Sequence, residues 1–122
     1  MLLELDFSDN TPIYMQIRNQ IVLGIANKTL SYGEKLPTIR ALADEAGINM
    51  MTVSKAYQIL KQEGYITADR RSGAVIVGGG ESGLTKHALD NLRLIAAEAK
   101  LSGMTKEEFL DIASAAFCKT GA

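Results

Sequence analysis

The stretch LPTIRALADEAGINMMTVSKAYQILKQEGYI, residues 36–66, decides the fold. It holds two short amphipathic patterns separated by Gly47-Ile48-Asn49. In the first, Thr38 stands at an N-cap position, Ile39, Leu42, Ala43 and Ala46 recur at helical spacing, and Gly47 stops the helix. In the second, starting near Met50, the inward stripe is Val53, Ala56, Tyr57 and Leu60, and Gly64 ends it. A turn this tight keeps the two helices from lying antiparallel, so they cross steeply and the second projects outward. Ala43 and Ala56 let the axes approach. The pattern is a helix-turn-helix.

Upstream, Thr11-Pro12 opens the run IYMQIRNQIVLGIANKTL. Ile13, Ile17, Ile21 and Ile25 recur every four residues, with Tyr14 and Val22 widening the stripe, which predicts a one-faced helix of about four turns. Pro is tolerated near the first helical position, where its missing N–H would have no partner anyway. Asn27 is expected to end the helix in the left-handed conformation. The next segment, SYGEKLP (residues 31–37), reads as a turn-rich connector.

Downstream, YITAD (65–69) and AVIVG (74–78) read as two β-branched strands around the turn Arg70-Arg71-Ser72-Gly73. Helix, helix-turn-helix and hairpin together make a winged helix over residues 10–78. The run GGGESG (78–83) follows, and residues 79–83 read as a hinge. A tail over 84–120 then carries two more helices. Leu84, Ala88, Leu92, Ile95 and Ala99 share one stripe, with Leu89 and Leu94 beside it. Ser102-Gly103 breaks it, and Thr105-Lys106-Glu107-Glu108 is a capping-box pattern for a helix with Phe109, Ile112, Ala113 and Ala116 inward. The expected class is mainly α with a small β-hairpin: an N-terminal winged helix-turn-helix plus a C-terminal two-helix dimerisation hairpin.

The bulk properties of the 122 residues are those of a globular protein, 47% hydrophobic and 22% charged. No apolar run approaches a bilayer span, the acidic start does not read as a secretory signal, and the single Cys118 suits a reducing cytoplasm. The formal net charge is −1, which lacks the electropositivity usual in nucleic-acid binders. The charge is unevenly spread, however. Residues 10–78 hold eight Lys/Arg against five Asp/Glu, a balance of +3, while residues 79–122 hold five against six.

A major groove about 12 Å wide admits one α-helix, whose N-terminal residues reach base edges. On the helix from Met50, the inward stripe leaves Met51, Thr52, Ser54, Lys55 and Gln58 facing outward, with Asn49 just before them. Thr52 and Ser54 can donate or accept, Lys55 can neutralise a phosphate or approach guanine, and Asn49 can cap the helix or bond DNA. Lys35 can add a phosphate contact, and Tyr57, though mostly core, can reach a phosphate with its hydroxyl. Met50 and Met51 lack strong donors. Either they pack between the helices, or one, Met51 foremost, meets a thymine methyl.

The segment from Pro12 to Ile66, with its register of PIYxQI, LPTxRxLA, a Gly-Ile turn, TVxxAYxxL and EGYI, resembles the DNA-binding domain of the GntR family of bacterial regulators. The short two-helix tail is similar to that of its YtrA subfamily. The resemblance implies a DNA contact for Arg40 and Thr38 at the start of the first short helix, and for Arg70, Arg71, Ser72 and Gly73 at the wing tip. It also implies repression rather than activation, and control of a transporter operon. The sequence departs from the family pattern at Lys28, where Gly is frequent, at Met50-Met51, and in the wing, SGAVIV in place of GxGTFV.

Two short tail helices cannot close a core alone. Their stripe (Leu84, Ala88, Leu92, Ile95, Ala99, Phe109, Ile112 and Ala116) is therefore expected to pair with a second copy. A homodimer implies an inverted-repeat operator on double-stranded DNA. No cofactor, metal or membrane is expected, and a small-molecule effector is left open. His87, the only histidine, reads as an interface or surface residue. An enzyme is disfavoured because no Ser/His/Asp, Cys/His or HExxH grouping occurs. A winged helix that binds protein is the remaining alternative.

Overall fold

The computed structural model describes residues 3–69, 73–78 and 83–119. In chain order the elements are α1 (Ile13–Ala26), α2 (Ile39–Ala46), α3 (Met50–Gln62), β1 (Ile66–Asp69), β2 (Gly73–Ile76), α4 (Lys86–Leu101) and α5 (Lys106–Lys119). The chain divides into two units, one ending at Gly80 and one starting at Glu81.

In the first unit α3 is the hub, packed against α1, α2 and β1. Ile17 and Ile21 of α1, Leu42 of α2, Val53 and Leu60 of α3, Ile66 of β1 and Ile76 of β2 are fully buried. These are the stripes that the helical and strand periodicities predict. The termini follow local chemistry. The Thr38 hydroxyl accepts the Ala41 N–H at 3.0 Å to open α2, and Gly47 ends it at φ 69°. The Asn49 carboxamide oxygen accepts the Met51 N–H at 2.7 Å to open α3. β1 and β2 pair antiparallel with Ile66 opposite Ile76 and Asp69 opposite Gly73. Gly73 has φ 68°, a conformation that disfavours any residue with a Cβ.

Three features differ from the sequence-based expectations. The connector before α2 is no mere turn, because it runs along the free edge of β2. Gly33 N–H donates to Ile76 C=O at 2.6 Å, Ile76 N–H to Glu34 C=O at 3.0 Å, and Leu36 N–H to Ala74 C=O at 2.9 Å. Lys35 bridges Val75 antiparallel. Periodicity could not reveal this arm, since Leu36 is its only buried side chain and the pairing is tertiary.

The left-handed residue after α1 is Lys28 (φ 66°), not Asn27, whose φ is −89°. The Asn27 carboxamide oxygen instead accepts the Thr29 N–H at 3.0 Å and the Thr29 hydroxyl at 2.8 Å, an Asx-type turn. Finally, the segment before residue 10 packs on α1. Leu3 and Leu5 lie against the core, Glu4 N–H donates to the Gln20 carboxamide oxygen at 2.9 Å, and Asp6 N–H to that of Gln16 at 2.8 Å.

In the second unit Thr85 caps α4 by accepting the Ala88 N–H at 3.1 Å. Ser102 ends α4, and Gly103 turns the chain at φ 89°. The capping box before α5 is reciprocal. Thr105 N–H donates to a Glu108 carboxylate oxygen at 3.0 Å, and Glu108 N–H to the Thr105 hydroxyl at 3.1 Å. Hydrogen bonding from Thr105 to the carboxylate, its backbone N–H first, holds the Glu108 carboxyl below its usual pKa. No residue of α4 or α5 is buried. Residues 79–82 of the expected hinge, and Thr120, lie outside the described residues. Among the described residues, no helix is long and apolar enough to cross a membrane.

Candidate nucleic-acid interface

The outward face of α3 is available because its other face is consumed by the core. Val53, Ala56, Tyr57 and Leu60 are buried, whereas Lys55 and Gln58 are exposed and Thr52 and Ser54 half-buried. Met51, Thr52, Ser54, Lys55 and Gln58 line one open depression together with Tyr14 from the first turn of α1. Hydroxyl, carboxamide, ammonium and thioether groups therefore converge on the open side of this helix.

The methionines do not fill the turn. Met51 is 78% exposed and Met50 48%, so internal packing accounts for neither side chain in full. Asn49 spends its carboxamide oxygen on the α3 cap, which leaves its NH₂ group to donate.

Arg40, the second residue of α2, is exposed and makes no hydrogen bond or ion pair with the described residues. Lys35 is exposed on the arm that pairs with β2. Of the wing-tip residues, Gly73 is described and exposed, whereas Arg70, Arg71 and Ser72 lie outside the described residues.

Tyr57 requires a correction. It is 5% exposed, and its hydroxyl donates to the Pro37 carbonyl at 2.8 Å. The proton a phosphate oxygen would need is already used inside the protein, and burial raises the phenol pKa well above its ordinary value. The bond instead ties α3 to the loop that carries Lys35 and leads into Arg40.

Two further cations have structural partners that no spacing rule could reveal. Arg18 forms a bidentate, half-buried pair with Glu63, Nε to Oε1 at 2.8 Å and Nη2 to Oε2 at 2.9 Å. These bonds raise the Arg18 pKa and clamp α1 to the end of α3. Lys55 lies with its Nζ 4.1 Å from the centroid of the Tyr14 ring. From sequence, Tyr14 reads only as part of the α1 apolar stripe; the depression adds it to the site. Among the described residues, no group of three or more His, Cys, Asp or Glu could hold a metal ion.

Comparison with known proteins agrees with this geometry. Residues 13–76 match the family described as bacterial regulatory proteins, gntR family. The chain is 31% identical over 111 residues to the HTH-type transcriptional repressor YtrA of Bacillus subtilis (strain 168), covering 88% of this chain and 85% of that protein. The solved structure of YtrA from Sulfolobus acidocaldarius, a GntR-family transcription factor, is 36% identical with a TM-score of 0.57, covering 98% of this chain and all of that one. A transcriptional antiterminator from Listeria monocytogenes EGD-e superposes with a TM-score of 0.81 at 27% identity, covering 100% of this chain and 94% of that chain. The open outer face of α3 in a winged helix and a family match over residues 13–76 lead to one conclusion: the chain belongs to the GntR family of bacterial regulatory proteins, in its YtrA subfamily, and is a DNA-binding transcription regulator rather than an enzyme.

Proposed function

We propose that this regulator is a repressor that binds an inverted-repeat operator as a homodimer in the cytoplasm. The observation that carries this reading is the face of α3. Its core side is closed, while Met51, Ser54, Lys55 and Gln58 line an outward depression along the first two to three turns of the helix. A helix presented this way enters the major groove with its first turns on the base edges. Ser54 and Gln58 offer hydrogen bonds, and Met51 offers apolar contact to a thymine methyl. Arg40, Lys35 and the Thr38 and Asn49 side chains hold the phosphates, with Arg70, Arg71, Ser72 and Gly73 reaching the duplex from the wing.

The tail supports a two-fold pairing because Leu84, Leu92 and Ile95 are 65%, 42% and 52% exposed in the single chain and face no core of their own. Pairing through them, with Ala88, Ala99, Phe109, Ile112 and Ala116, would set two α3 helices on half-sites about 34–36 Å apart. The relative from B. subtilis is named a transcriptional repressor, which favours repression here. Control of a transporter operon is the regulatory target we infer from the subfamily resemblance.

A gel-shift titration at two salt concentrations, on duplexes from the region upstream of the chain's own gene, tests the reading. Affinity should fall steeply with salt as counterions are released. Arg40→Ala should weaken binding about uniformly across sequences and lower the salt slope by about one. Salt-independent association, or an Arg40→Ala protein that binds like the wild type, refutes the proposed interface. Met51→Ala should lose affinity on thymine-containing sites but not where those thymines are uracil.

A further inference from the structure

The Tyr14–Lys55 contact lies at the edge of the proposed DNA face and no hydrogen bond explains it. Lys55 Nζ sits 4.1 Å from the Tyr14 ring centroid, and among the described residues no carboxylate pairs with that ammonium. Tyr14 is itself held: it is half-buried and packs against the core that α1 shares with α3. Both residues line the depression that also contains Met51, Ser54 and Gln58.

We propose that Tyr14 is a positioning residue for DNA binding: its ring holds the Lys55 ammonium at the α1 wall of this depression, directed to a backbone phosphate rather than to a base edge. The inference rests on the reading of this face as the DNA interface. Its physical basis is the flexibility of lysine. A free lysine side chain loses much of its rotamer freedom when it commits to one contact. A rigid ring from a neighbouring helix removes part of that freedom beforehand. The ammonium carries three N–H donors; the ring takes up one side of it and leaves the other to donate to a phosphate oxygen, so the cation need not leave the ring to bind. Lys55 then supplies affinity without sequence information, and base reading falls to Met51, Ser54 and Gln58.

The test uses the full chain and a duplex selected by the wild-type protein from a random pool, beside an unrelated duplex of equal length. Tyr14→Leu should weaken binding to both duplexes by a similar factor, about two- to fivefold, the size of a part of a lysine's rotamer entropy that must then be lost on binding. Its salt slope should stay unchanged because no charge is lost. Tyr14→Phe, which keeps the ring, should bind like the wild type. Lys55→Met should weaken binding and lower the salt slope by about one, and adding Tyr14→Leu to it should have no further effect.

A direct measurement needs no variant. The Lys55 ε-methylene protons should be shifted upfield by the ring in the free protein and remain so in the complex. If Lys55→Met binds like the wild type, Lys55 holds no phosphate and the proposal fails; if the wild type itself binds DNA without salt dependence, the DNA reading of this face fails. If Lys55→Met is weakened but Tyr14→Leu is unchanged or tighter, or the upfield shift vanishes on DNA, the positioning role alone fails. A Tyr14→Phe protein as weak as Tyr14→Leu would show that the hydroxyl acts instead of the ring and overturn the proposal.

Discussion

The two units of this chain use similar helices in opposite ways. α1 and α3, of 14 and 13 residues, bury four residues each. α4 and α5, of 16 and 14 residues, bury none. Hydrophobic content does not separate them, because the second unit exposes Leu84, Leu89, Leu92, Leu94, Ile95, Leu101, Leu110, Ile112 and Phe117. What differs is the number of layers. In the first unit three helices, a hairpin and the Leu3–Leu5 segment surround one centre, so each stripe finds an opposing surface. Two helices leave the outer side of each stripe facing water. The winged unit thus contains what it needs to fold, while the tail has an apolar surface that awaits a second copy, as proposed above.

The sharpest way to break this contrast is to cut matching side chains from each unit. Leu60 is fully buried, and Leu60→Ala should cost about 2–5 kcal/mol, lowering the melting temperature of the winged unit by roughly 10 °C or more. Ile95→Ala, measured in chain diluted until it sediments as a monomer, should change stability by under about 0.5 kcal/mol. Equal losses at the two sites would mean that the tail has a core of its own.

The next effect is on assembly. Ile95→Asp places a charge in the proposed seam and should convert a dimer to a monomer by sedimentation, while the far-ultraviolet spectrum of the winged unit is retained. A variant that stays dimeric would remove this stripe from the interface.

A smaller effect probes the close of α1. Lys28 is the only described non-glycine residue with positive φ, and a side chain in that region costs roughly 1 kcal/mol relative to glycine. Lys28→Gly should therefore raise the melting temperature by about 4–8 °C, provided the turn keeps its conformation. A fall would mean that the Lys28 side chain makes a contact worth more than the strain.

The smallest effect belongs to the tail cap. The Glu108 pKa is lowered from 4.5 in the folded chain by its bonds to Thr105. The folded state therefore binds that proton less readily than the unfolded chain, so its stabilisation is complete above the ordinary carboxylate range. It is lost as pH falls through the lowered value. Glu108→Gln should flatten the acid limb of tail helicity, followed by circular dichroism between about pH 5 and 2; an unchanged limb would place the acid sensitivity elsewhere.

Much of the candidate face was legible because its exposed polar chemistry sits on a helix whose inward stripe is easy to subtract. Once Val53, Ala56, Tyr57 and Leu60 are assigned to the core, the outward set follows by rotation at 100° per residue. The same subtraction could not say where the hydroxyl of Tyr57 ends. Nor could it show that Lys55 rests on Tyr14, because the pair is 41 positions apart in sequence and meets only when α1 packs on α3.

By itself, the sequence determined the local elements. Apolar periods of 3.6 and 2 residues, the caps at Thr38, Asn49 and Thr105, and the turn glycines at 47, 73 and 103 act over a few residues and need no distant partner. Tertiary structure alone decided the Lys35 arm on β2, the docking of Leu3 and Leu5 on α1, the Arg18–Glu63 clamp and the Tyr57–Pro37 bond. It also decided which of the winged unit's described cations are committed, Arg18 to Glu63 and Lys55 to the Tyr14 ring. Each of these depends on groups far apart in the chain brought within hydrogen-bond or van der Waals range, and that proximity exists only once the core has closed.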